Sequence, residues 1–367
     1  MIIFLIWIAF IHSSIQDTLF QENHDMIIRS KRDILKEGNE MPICYFLLLG
    51  ETDKNIEIAL NLINEETCLT FTKINRFPVK SKNKCRSFLI YIEHQFNSKG
   101  YGNQIIHLKK DCLKNPKCIL KLSVQALGLM SSHLRKDRDR FVTIHEDNID
   151  KRDMIYFNTV NDSLTESFGL GYDFSSITHP RKDWLSNNNK PTITSRHGLD
   201  LYTNMMGQKS QLSFTDTQLI NKHYCRKCPG KNNCKHGGYL SYKDCNKCIC
   251  PSGFTGNKCE NIQSDKQWTR QEINTLEGRR LHVSFLNFKS SAPVPCAPGR
   301  GLELHYEQTN ISSPLILCGT YSSFSFTTDS NYILLRYNGK KEDISFRIHL
   351  IRHDFISKQK RRARKSA

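Results

Sequence analysis

Histidine is the commonest metal ligand among protein side chains, and this chain of 367 residues contains 14 histidines. On the helix of a zinc peptidase, the pattern HExxH places two imidazoles one turn apart, with a glutamate that acts as general base. His145-Glu146 begins this pattern, but the residue four positions after His145 is Ile149. The other candidate imidazoles are those of His107, His133 and His179. Their spacing does not predict a site with three zinc ligands.

The segment 119–130, ILKLSVQALGLM, could form a helix that carries metal ligands or catalytic side chains. It lacks proline, and its Leu, Ala and Gln favour a helix that ends near Gly128. Lys121 and Gln125 are four positions apart, so they share one face of that helix.

Cysteine usage indicates the compartment and divides the chain into three regions. There are 14 cysteines, an even number that fits disulfide pairing in an oxidising environment. Residues 33–225 carry six of them, residues 228–259 carry six, and residues 260–352 carry two. The middle block has almost no aliphatic residues, so disulfides must hold it together.

The first residues, MIIFLIWIAFIHSS, predict a signal peptide over residues 1–14; the alternative is a buried N-terminal helix or strand. A dibasic processing site ending at Arg32 predicts a short propeptide over residues 15–32. The alternative is that these basic residues are only a solvated cluster of charges. No later stretch is apolar enough to span a membrane. We therefore expect a secreted, extracellular protein with no membrane span, in which Asn161 and Asn310 begin glycosylation sequons.

The charge balance indicates what kind of partner the surface attracts. Lys and Arg number 53 against 36 Asp and Glu, a net charge of +17. Residues 358–365 alone contain six cations, in a predicted basic tail over residues 353–367. Such a surface favours polyanions, including sulfated glycans. The expected disulfides argue against nucleic acid as the partner.

The cysteine-rich block ends in Cys248-Ile249-Cys250, PSGFTG and Cys259, and this ending resembles that of an EGF-like module. The resemblance covers residues 227–260. It implies three pairs, Cys228–Cys245, Cys234–Cys248 and Cys250–Cys259.

Residues 261–352 alternate apolar and polar side chains in short runs separated by turns, which predicts an all-β sandwich. The spacing of Cys296 and Cys318, with Leu317-Cys318-Gly319 closing a segment, resembles a CUB domain that keeps one bridge, Cys296–Cys318.

The first region resembles the astacin family of zinc endopeptidases over about 190 residues. After the predicted helix, the run from His133 to Ile144, HLRKDRDRFVTI, matches an Arg- and Asp-rich loop and a following strand. Further matches, in order, are ETCLTF (66–71), GYGNQIIHL (100–108, the edge strand), YDFSSITH (172–179, the Met-turn) and the closing helix 220–225. The resemblance implies an α+β, metzincin-like peptidase domain over residues 33–226, followed by the EGF-like module and the CUB sandwich.

The active-site pattern HExxHxLGxxHE is altered at the positions that matter. With Ala126-Leu127-Gly128 fixed, the three zinc histidines fall on Lys121, Gln125 and Ser131, and the catalytic glutamate falls on Leu122. The glutamate after the third histidine falls on Ser132, the Met-turn methionine on Thr178, and the zinc-ligating tyrosine on Pro180.

Chemistry gives the consequence. An ammonium group has donors and no lone pair, an amide oxygen is a weak neutral ligand, and a serine hydroxyl is a poor one. No cofactor is therefore expected, although active relatives use zinc, and Leu122 offers no base. We hypothesise that Lys121 donates to Gln125 and Ser131; the alternative is that it extends to solvent.

The other cysteines of the first region are Cys44, Cys68, Cys85, Cys112, Cys118 and Cys225. The resemblance implies a Cys68–Cys225 bridge. The family's usual partner for Cys112 has no counterpart, so Cys44, Cys85 and Cys118 each remain open to pairing with it.

Three functions compete. The leading one is a secreted pseudoprotease that binds an extracellular protein or peptide, as a decoy, an inhibitor or a scaffold, with residues 100–108 available for strand addition. The second is an active zinc metalloendopeptidase with an unconventional site. The third is a matrix- or polyanion-binding adhesive protein that acts through the CUB domain, the EGF-like module and the basic tail.

Overall fold

The computed structural model describes residues 43–48, 53–75, 88–93, 104–161, 165–196, 201–225, 227–263, 269–276, 279–306, 311–328, 330–338 and 343–354. The predicted signal peptide, propeptide, Arg32, Cys85, Asn310 and cations of residues 358–365 lie outside these ranges. The chain divides into two compact units. The first comprises residues up to 130 with 161–166 and 220–227, and the second comprises 131–160, 167–219 and the residues from 228 onward.

The first unit is built on a parallel sheet. Its strands are β1 (Ile43–Leu48), β2 (Phe71–Lys73), β3 (Phe88–Glu93) and β4 (Gln104–Leu108), in the order β2-β1-β3-β4. Four consecutive residues of β3, Leu89 to Ile92, are buried, as expected for a parallel strand that is covered on both faces. β4 is the last strand of the described sheet.

Helices α1 (Asp53–Glu66), α2 (Lys110–Leu113) and α3 (Pro116–Ala126) complete the first unit. α1 packs on α3 and buries residues at helical spacing, Ile56, Ala59, Leu60 and Ile63. The mixed helix and strand content expected from the sequence is confirmed.

α3 begins earlier than predicted. Asn115 caps it by accepting from the backbone N–H of Lys117 (3.0 Å), and Pro116 occupies the first turn, where no N–H is needed. Helical residues end at Ala126, and Gly128 takes φ +89°, a left-handed value that glycine adopts without strain. The helix therefore begins three residues before the segment 119–130 that favoured it in the sequence, and its predicted stop near Gly128 is confirmed.

The last helix, α4 (Phe214–Tyr224), is also longer than the predicted closing helix of residues 220–225. Its N-terminus is a capping box: the Asp216 N–H donates to Ser213 Oγ (2.9 Å), and the Ser213 N–H donates to the Asp216 carboxylate (3.0 Å).

Two disulfides lie wholly within the described residues of the first unit. Cys68 pairs with Cys225 across 157 positions, and Cys112 pairs with Cys118 across 6. Of the three pairings open to Cys112, the structure has the local one, which joins α2 to α3. Cys44 is also disulfide-bonded.

The second unit starts with short elements around aromatic side chains. Strands β5 (Val142–Ile144) and β6 (Ile193–Ser195) pair antiparallel. Between and around them the chain forms short 3₁₀ turns at Ser132–Leu134, Arg138–Arg140, Glu146–Asn148, Met154–Phe157 and Leu201–Met205. Phe141 stacks on Tyr172 (4.9 Å between ring centroids), and Phe174 contacts Tyr202 (4.8 Å). These rings belong to a hydrophobic core that also includes residues of the C-terminal strands.

The cysteine-rich block follows, with strands β7 (Tyr239–Leu240), β8 (Cys248–Ile249), β9 (Phe254–Thr255) and β10 (Asn261–Ile262) in two small hairpins. Its disulfides are Cys228–Cys245, Cys234–Cys248 and Cys250–Cys259. These are the pairs that the sequence resemblance implies.

The remaining strands form two sheets that share a buried core. They are β11 (Thr269–Asn274), β12 (Arg279–Ser290), β13 (Leu302–His305), β14 (Leu315–Leu317), β15 (Gly319–Thr327), β16 (Tyr332–Tyr337) and β17 (Ile344–Asp354). The sheet orders are β11-β16-β13-β14 and β15-β12-β17, and Cys296 pairs with Cys318. β17 reaches Asp354, so the predicted boundary at 352 falls inside a strand. No helix in the described parts of the chain is long and apolar enough to cross a membrane.

A buried ion pair of the two-sheet region is hydrogen-bonded to the cysteine-rich block. Glu303 (1% exposed) lies 3.4 Å from Arg336 Nε and 3.3 Å from His305 Nε2, and Arg336 also donates to Ser252 Oγ (2.6 Å). Burial alone would raise the pKa of Glu303, but the hydrogen bond from His305 and the charges of His305 and Arg336 hold that pKa below its usual range. The carboxylate therefore stays ionised inside the protein.

Replacing Arg336 by methionine leaves the buried Glu303 carboxylate without its cation. We expect a loss of roughly 3 kcal/mol in the free energy of unfolding, measured by urea denaturation, because an uncompensated buried charge is costly. The exposed Arg270, changed to methionine in the same way, should alter stability by less than about 0.5 kcal/mol. Equal effects of the two substitutions would contradict a role for the ion pair.

Candidate functional site

The helix that carries the candidate ligand positions belongs to the first unit. Lys121 and Leu122 on α3 are half-buried and Gln125 is exposed. The buried side of the helix is fixed by Ser123, whose Oγ donates to the Ile119 carbonyl (2.8 Å) and lies 2.8 Å from the Tyr91 hydroxyl. The face carrying residues 121 and 125 therefore offers an ammonium group and an amide, neither of which is a good zinc ligand.

The third candidate position, Ser131, lies in the second unit and has a partner that sequence reasoning missed. Its Oγ lies 2.7 Å from Nδ1 of His133, and Nε2 of His133 lies 3.2 Å from the Tyr156 carbonyl oxygen. Because a carbonyl only accepts, Nε2 carries the proton and Nδ1 accepts from the serine hydroxyl. The sequence predicted no contact between His133 and Ser131; in the structure, the 3₁₀ turn Ser132–Leu134 folds His133 back onto Ser131.

His179 is held in the same manner. Its Nδ1 lies 2.9 Å from the Pro180 carbonyl oxygen, and its Nε2 lies 2.9 Å from the Tyr172 hydroxyl. Nδ1 must donate to the carbonyl, so Nε2 accepts from the phenol. Burial raises the pKa of Tyr172 well above its usual value, so the phenol keeps the proton that it donates. The lone pairs of His133 and His179 are therefore both occupied by hydroxyl groups.

The other sequence candidates are dispersed. Nε2 of His145 lies 2.8 Å from Thr194 Oγ1, and Glu146 begins a 3₁₀ turn rather than a helix, so this pair is not an HExxH site. His107 is half-buried on β4. Thr178 is buried, with its Oγ1 2.9 Å from Ser176 Oγ, and Pro180 is buried beside it. Among the described residues, no three His, Cys, Asp or Glu side chains are grouped so that they could hold a metal ion.

The side chains of the Arg- and Asp-rich loop hold neighbouring backbone segments in place by hydrogen bonds. Arg135 pairs with both carboxylate oxygens of Asp137 (2.8 and 2.9 Å) and donates to the Leu170 carbonyl (3.0 Å). Arg138 donates to the carbonyls of His133 (3.0 Å) and Phe157. The hydrogen bond from Arg135 lowers the pKa of Asp137, so that carboxylate is ionised. These contacts fix the backbone around His133.

A buried acidic network lies beneath the 172–179 segment. Asp173 accepts from the Ser175 N–H and hydroxyl (2.8 Å each) and from the Ser213 hydroxyl, and Asp216 accepts from Ser176 Oγ (2.7 Å) and the Ile177 N–H (2.8 Å). Burial, and secondarily the Asp173 charge, raises the pKa of Asp216 to about 7. Burial also raises the pKa of Asp173. The sequence analysis missed this network, although the spacing of Ser213 and Asp216 is that of a capping box.

Replacing Asp216 by asparagine should change how stability depends on pH. The folded protein keeps a proton on Asp216 up to about pH 7, whereas the unfolded chain loses it near 3.8, so wild-type stability should fall as the pH rises through this window. The asparagine of the variant cannot ionise, so the variant lacks this contribution and keeps only that of Asp173, whose pKa burial also raises. Between pH 4 and pH 8, the free energy of unfolding of the wild type should fall relative to that of the variant by at most roughly 4 kcal/mol, as measured by urea denaturation.

The exposed Asp139, changed to asparagine, is the matched control and should leave the pH profile unchanged. A wild-type profile parallel to that of the Asp216→Asn variant would show that Asp216 ionises normally.

Comparison with known proteins assigns the family. Residues 34–225 match the model of the Astacin peptidase family. The chain is 33% identical over 231 residues to zinc metalloproteinase dpy-31 of Caenorhabditis elegans, covering 60% of this chain and 38% of that protein. It is 28% identical over 325 residues to zinc metalloproteinase nas-34 of the same organism, covering 84% of this chain and 50% of that protein. The chain thus spans half or less of the length of these two relatives.

Among solved structures, high choriolytic enzyme 1, a hatching enzyme zinc-protease of the medaka fish Oryzias latipes, is similar with a TM-score of 0.45 and 22% identity, over 54% of this chain and 97% of that one. The family match covers more than half of the 367 residues, including α1 to α4 and the hydrogen-bonded segments around Ser131, His179 and Asp216. This chain belongs to the astacin family.

Proposed function

We propose that this protein is a secreted astacin-family pseudoprotease, which binds an extracellular protein or peptide and does not hydrolyse it. The observation that carries the proposal is Lys121, half-buried on α3 where the family pattern has its first zinc histidine. An ammonium group at this position repels a divalent cation instead of ligating it.

The full donor set does not fit zinc. Catalytic zinc takes three protein ligands, usually imidazole or carboxylate, and leaves a fourth position for water. Aligned on Ala126-Leu127-Gly128, this chain offers Lys121, Gln125 and Ser131, with Pro180 in place of the tyrosine. Leu122, in place of the glutamate, has no group that could accept a proton from water. No hydrolytic step can be derived from these residues.

The neighbouring imidazoles support the same conclusion. A histidine can ligate a metal only through an unprotonated ring nitrogen, and in His133 and His179 that nitrogen accepts a hydroxyl hydrogen bond. Recruiting either residue would leave a buried hydroxyl without its acceptor, at a cost of about 1–3 kcal/mol each. The polar groups around Ser131 and Tyr172 are arranged to satisfy one another.

A binding role is favoured because the scaffold around these positions is intact. Arg135 and Arg138 brace the loop, the Asp173–Asp216 network supports the 172–179 segment, and Cys68–Cys225 closes the first unit. β4 is the last strand of the described sheet, which makes strand addition by an extended peptide the binding mode we favour.

The C-terminal half would supply further binding surface. The three disulfides of residues 228–259 and the two sheets from β11 to β17 support an EGF-like module followed by a CUB-like sandwich. The chain has 14 cysteines, and none of those that the structure describes is free, which supports an oxidising, extracellular location.

The first test is the zinc content of the purified, disulfide-intact chain, measured by elemental analysis beside a general peptidase assay. We expect far less than one equivalent of zinc and no cleavage that a chelator abolishes. The reason is that none of the residues aligned with the ligands provides an imidazole or carboxylate. One equivalent of tightly held zinc, with chelator-sensitive cleavage, would overturn the proposal.

A variant that regains the zinc ligands tests whether the altered residues are the reason that zinc is not bound. Restoring the pattern with Lys121→His, Leu122→Glu, Gln125→His and Ser131→His should raise bound zinc toward one equivalent. The control carries three histidines at Lys54, Lys117 and Lys151, which are exposed and far apart in the sequence, and should stay at the wild-type value. Equal zinc in the variant and the control would show that more than the ligand set has been lost.

A further inference from the structure

The three-stranded sheet of the C-terminal region has one apolar face and one polar face. On β12, Leu281, Val283 and Phe285 are buried in the core, so the residues between them lie on the opposite face. Phe288 is also buried, because Asn287 takes φ +52° at an irregularity in the pairing and shifts the alternation by one residue. Lys289 is therefore exposed on the polar face.

The register of the neighbouring strands extends this face on both sides. In β17, Arg347 is opposite Leu286, His349 is opposite Ser284, and Ser345 is opposite Lys289. In β15, the residues opposite β12 on this side are hydroxylic: Ser323, Ser325 and Thr327. We call the set Lys289, Arg347, His349, His282, Ser284, Ser323, Ser325 and Thr327 the cationic face.

The charged residues of this sheet are almost all basic. β12, β15 and β17 together contain five Lys or Arg residues and three histidines, and their single acidic residue is Asp354, the last residue of β17. The other sheet differs, because β11 carries Glu272 and β13 carries Glu303. Lys289, Arg347 and His349 are all exposed, so their charge or hydrogen-bonding capacity is directed to solvent.

We propose that the cationic face binds a linear sulfated polysaccharide. Exposed Lys and Arg side chains supply the attraction to sulfate groups, and the Ser and Thr hydroxyls beside them can donate to sulfate or sugar oxygens. The absence of carboxylates from the middle of the three strands removes the repulsion that a polyanion would otherwise meet.

The chemistry of the face favours a polysaccharide over an anionic membrane. The apolar side chains on this face are those of Leu286, which is half-buried, and Ile351, which is 55% exposed. A membrane-bound surface gains most of its affinity from a continuous apolar side that enters the lipid, which these strands do not present. A strand surface rich in cations and hydroxyls matches a long, hydrated, multiply charged chain.

This assignment differs from one that rests on the six cations of residues 358–365. Those cations follow β17 in the chain by a few positions, so they could add to the attraction. The cationic face, however, consists of strand residues whose register fixes the positions of its side chains. Deleting residues 358–365 separates the two contributions.

The test measures binding of a size-defined heparin oligosaccharide to the full chain, at two salt concentrations. The face variant carries Lys289→Ser and Arg347→Ser, and the matched control carries Lys231→Ser and Lys235→Ser, two exposed lysines of the cysteine-rich block. We expect the face variant to bind roughly tenfold more weakly, since each exposed ion pair contributes up to about fivefold. The control should stay within about twofold of wild type, and raised salt should weaken all binding.

Further measurements distinguish the cationic face from residues 358–365, and a polysaccharide from a membrane. The same loss on substituting Lys289 and Arg347 should appear in the chain that lacks residues 358–365, and chemically desulfated heparin should not bind. Wild-type affinity in the face variant would overturn the proposal, as would abolition of binding by the tail deletion alone. Equal or tighter binding to phosphatidylserine vesicles, lost in the face variant, would assign the surface to a membrane and overturn it too. Unchanged thermal unfolding of the face variant verifies that it is folded.

Discussion

Buried polar groups must find hydrogen-bond partners inside the protein, and this requirement organises the region around Ser131 and His179. In an astacin with zinc, imidazole lone pairs are free to face a metal. Here the hydroxyls of Ser131 and Tyr172 donate to His133 and His179, and backbone carbonyls hold the opposite ring nitrogens. The segment is thus ordered by hydrogen bonds among its own side chains and backbone carbonyls.

Local sequence signals predicted the local structure well. The cap at Asn115 and the left-handed Gly128 set the ends of α3, although only the second was read from the sequence. Alternating apolar residues predicted the strands of the C-terminal sheets, because burial of one face imposes a period of two. The choice of Cys118 as the partner of Cys112 required knowing that α2 and α3 are adjacent. Spacing alone left three partners open.

Contacts between distant segments could not be predicted in the same way. Asp173 and Asp216 are 43 positions apart, and nothing in either neighbourhood indicates that both carboxylates turn inward to Ser213. The contact between His133 and Ser131 was missed for a related reason: the turn that brings His133 to Ser131 is held by Arg138, which donates to the carbonyls of His133 and Phe157. The sequence predicted which residues occupy the candidate site. Their hydrogen bonds could not be predicted, because the partners are brought together only by the tertiary fold.

The contact between Arg336 and Ser252 has a practical consequence for dissecting the molecule. Phe254 packs edge-on against His305 (5.5 Å between ring centroids) and shares a small cluster with Leu334, while Gly253 lies so close to Arg336 that a side chain there would collide with it. A fragment beginning near residue 261 would uncover a charged pair and an apolar surface at once. The disulfide-bonded block and the sheets must therefore stay in one recombinant piece. Because residues 131–160 and 167–219 belong to the same compact unit and share its hydrophobic core, a piece that begins at Cys228 is still incomplete.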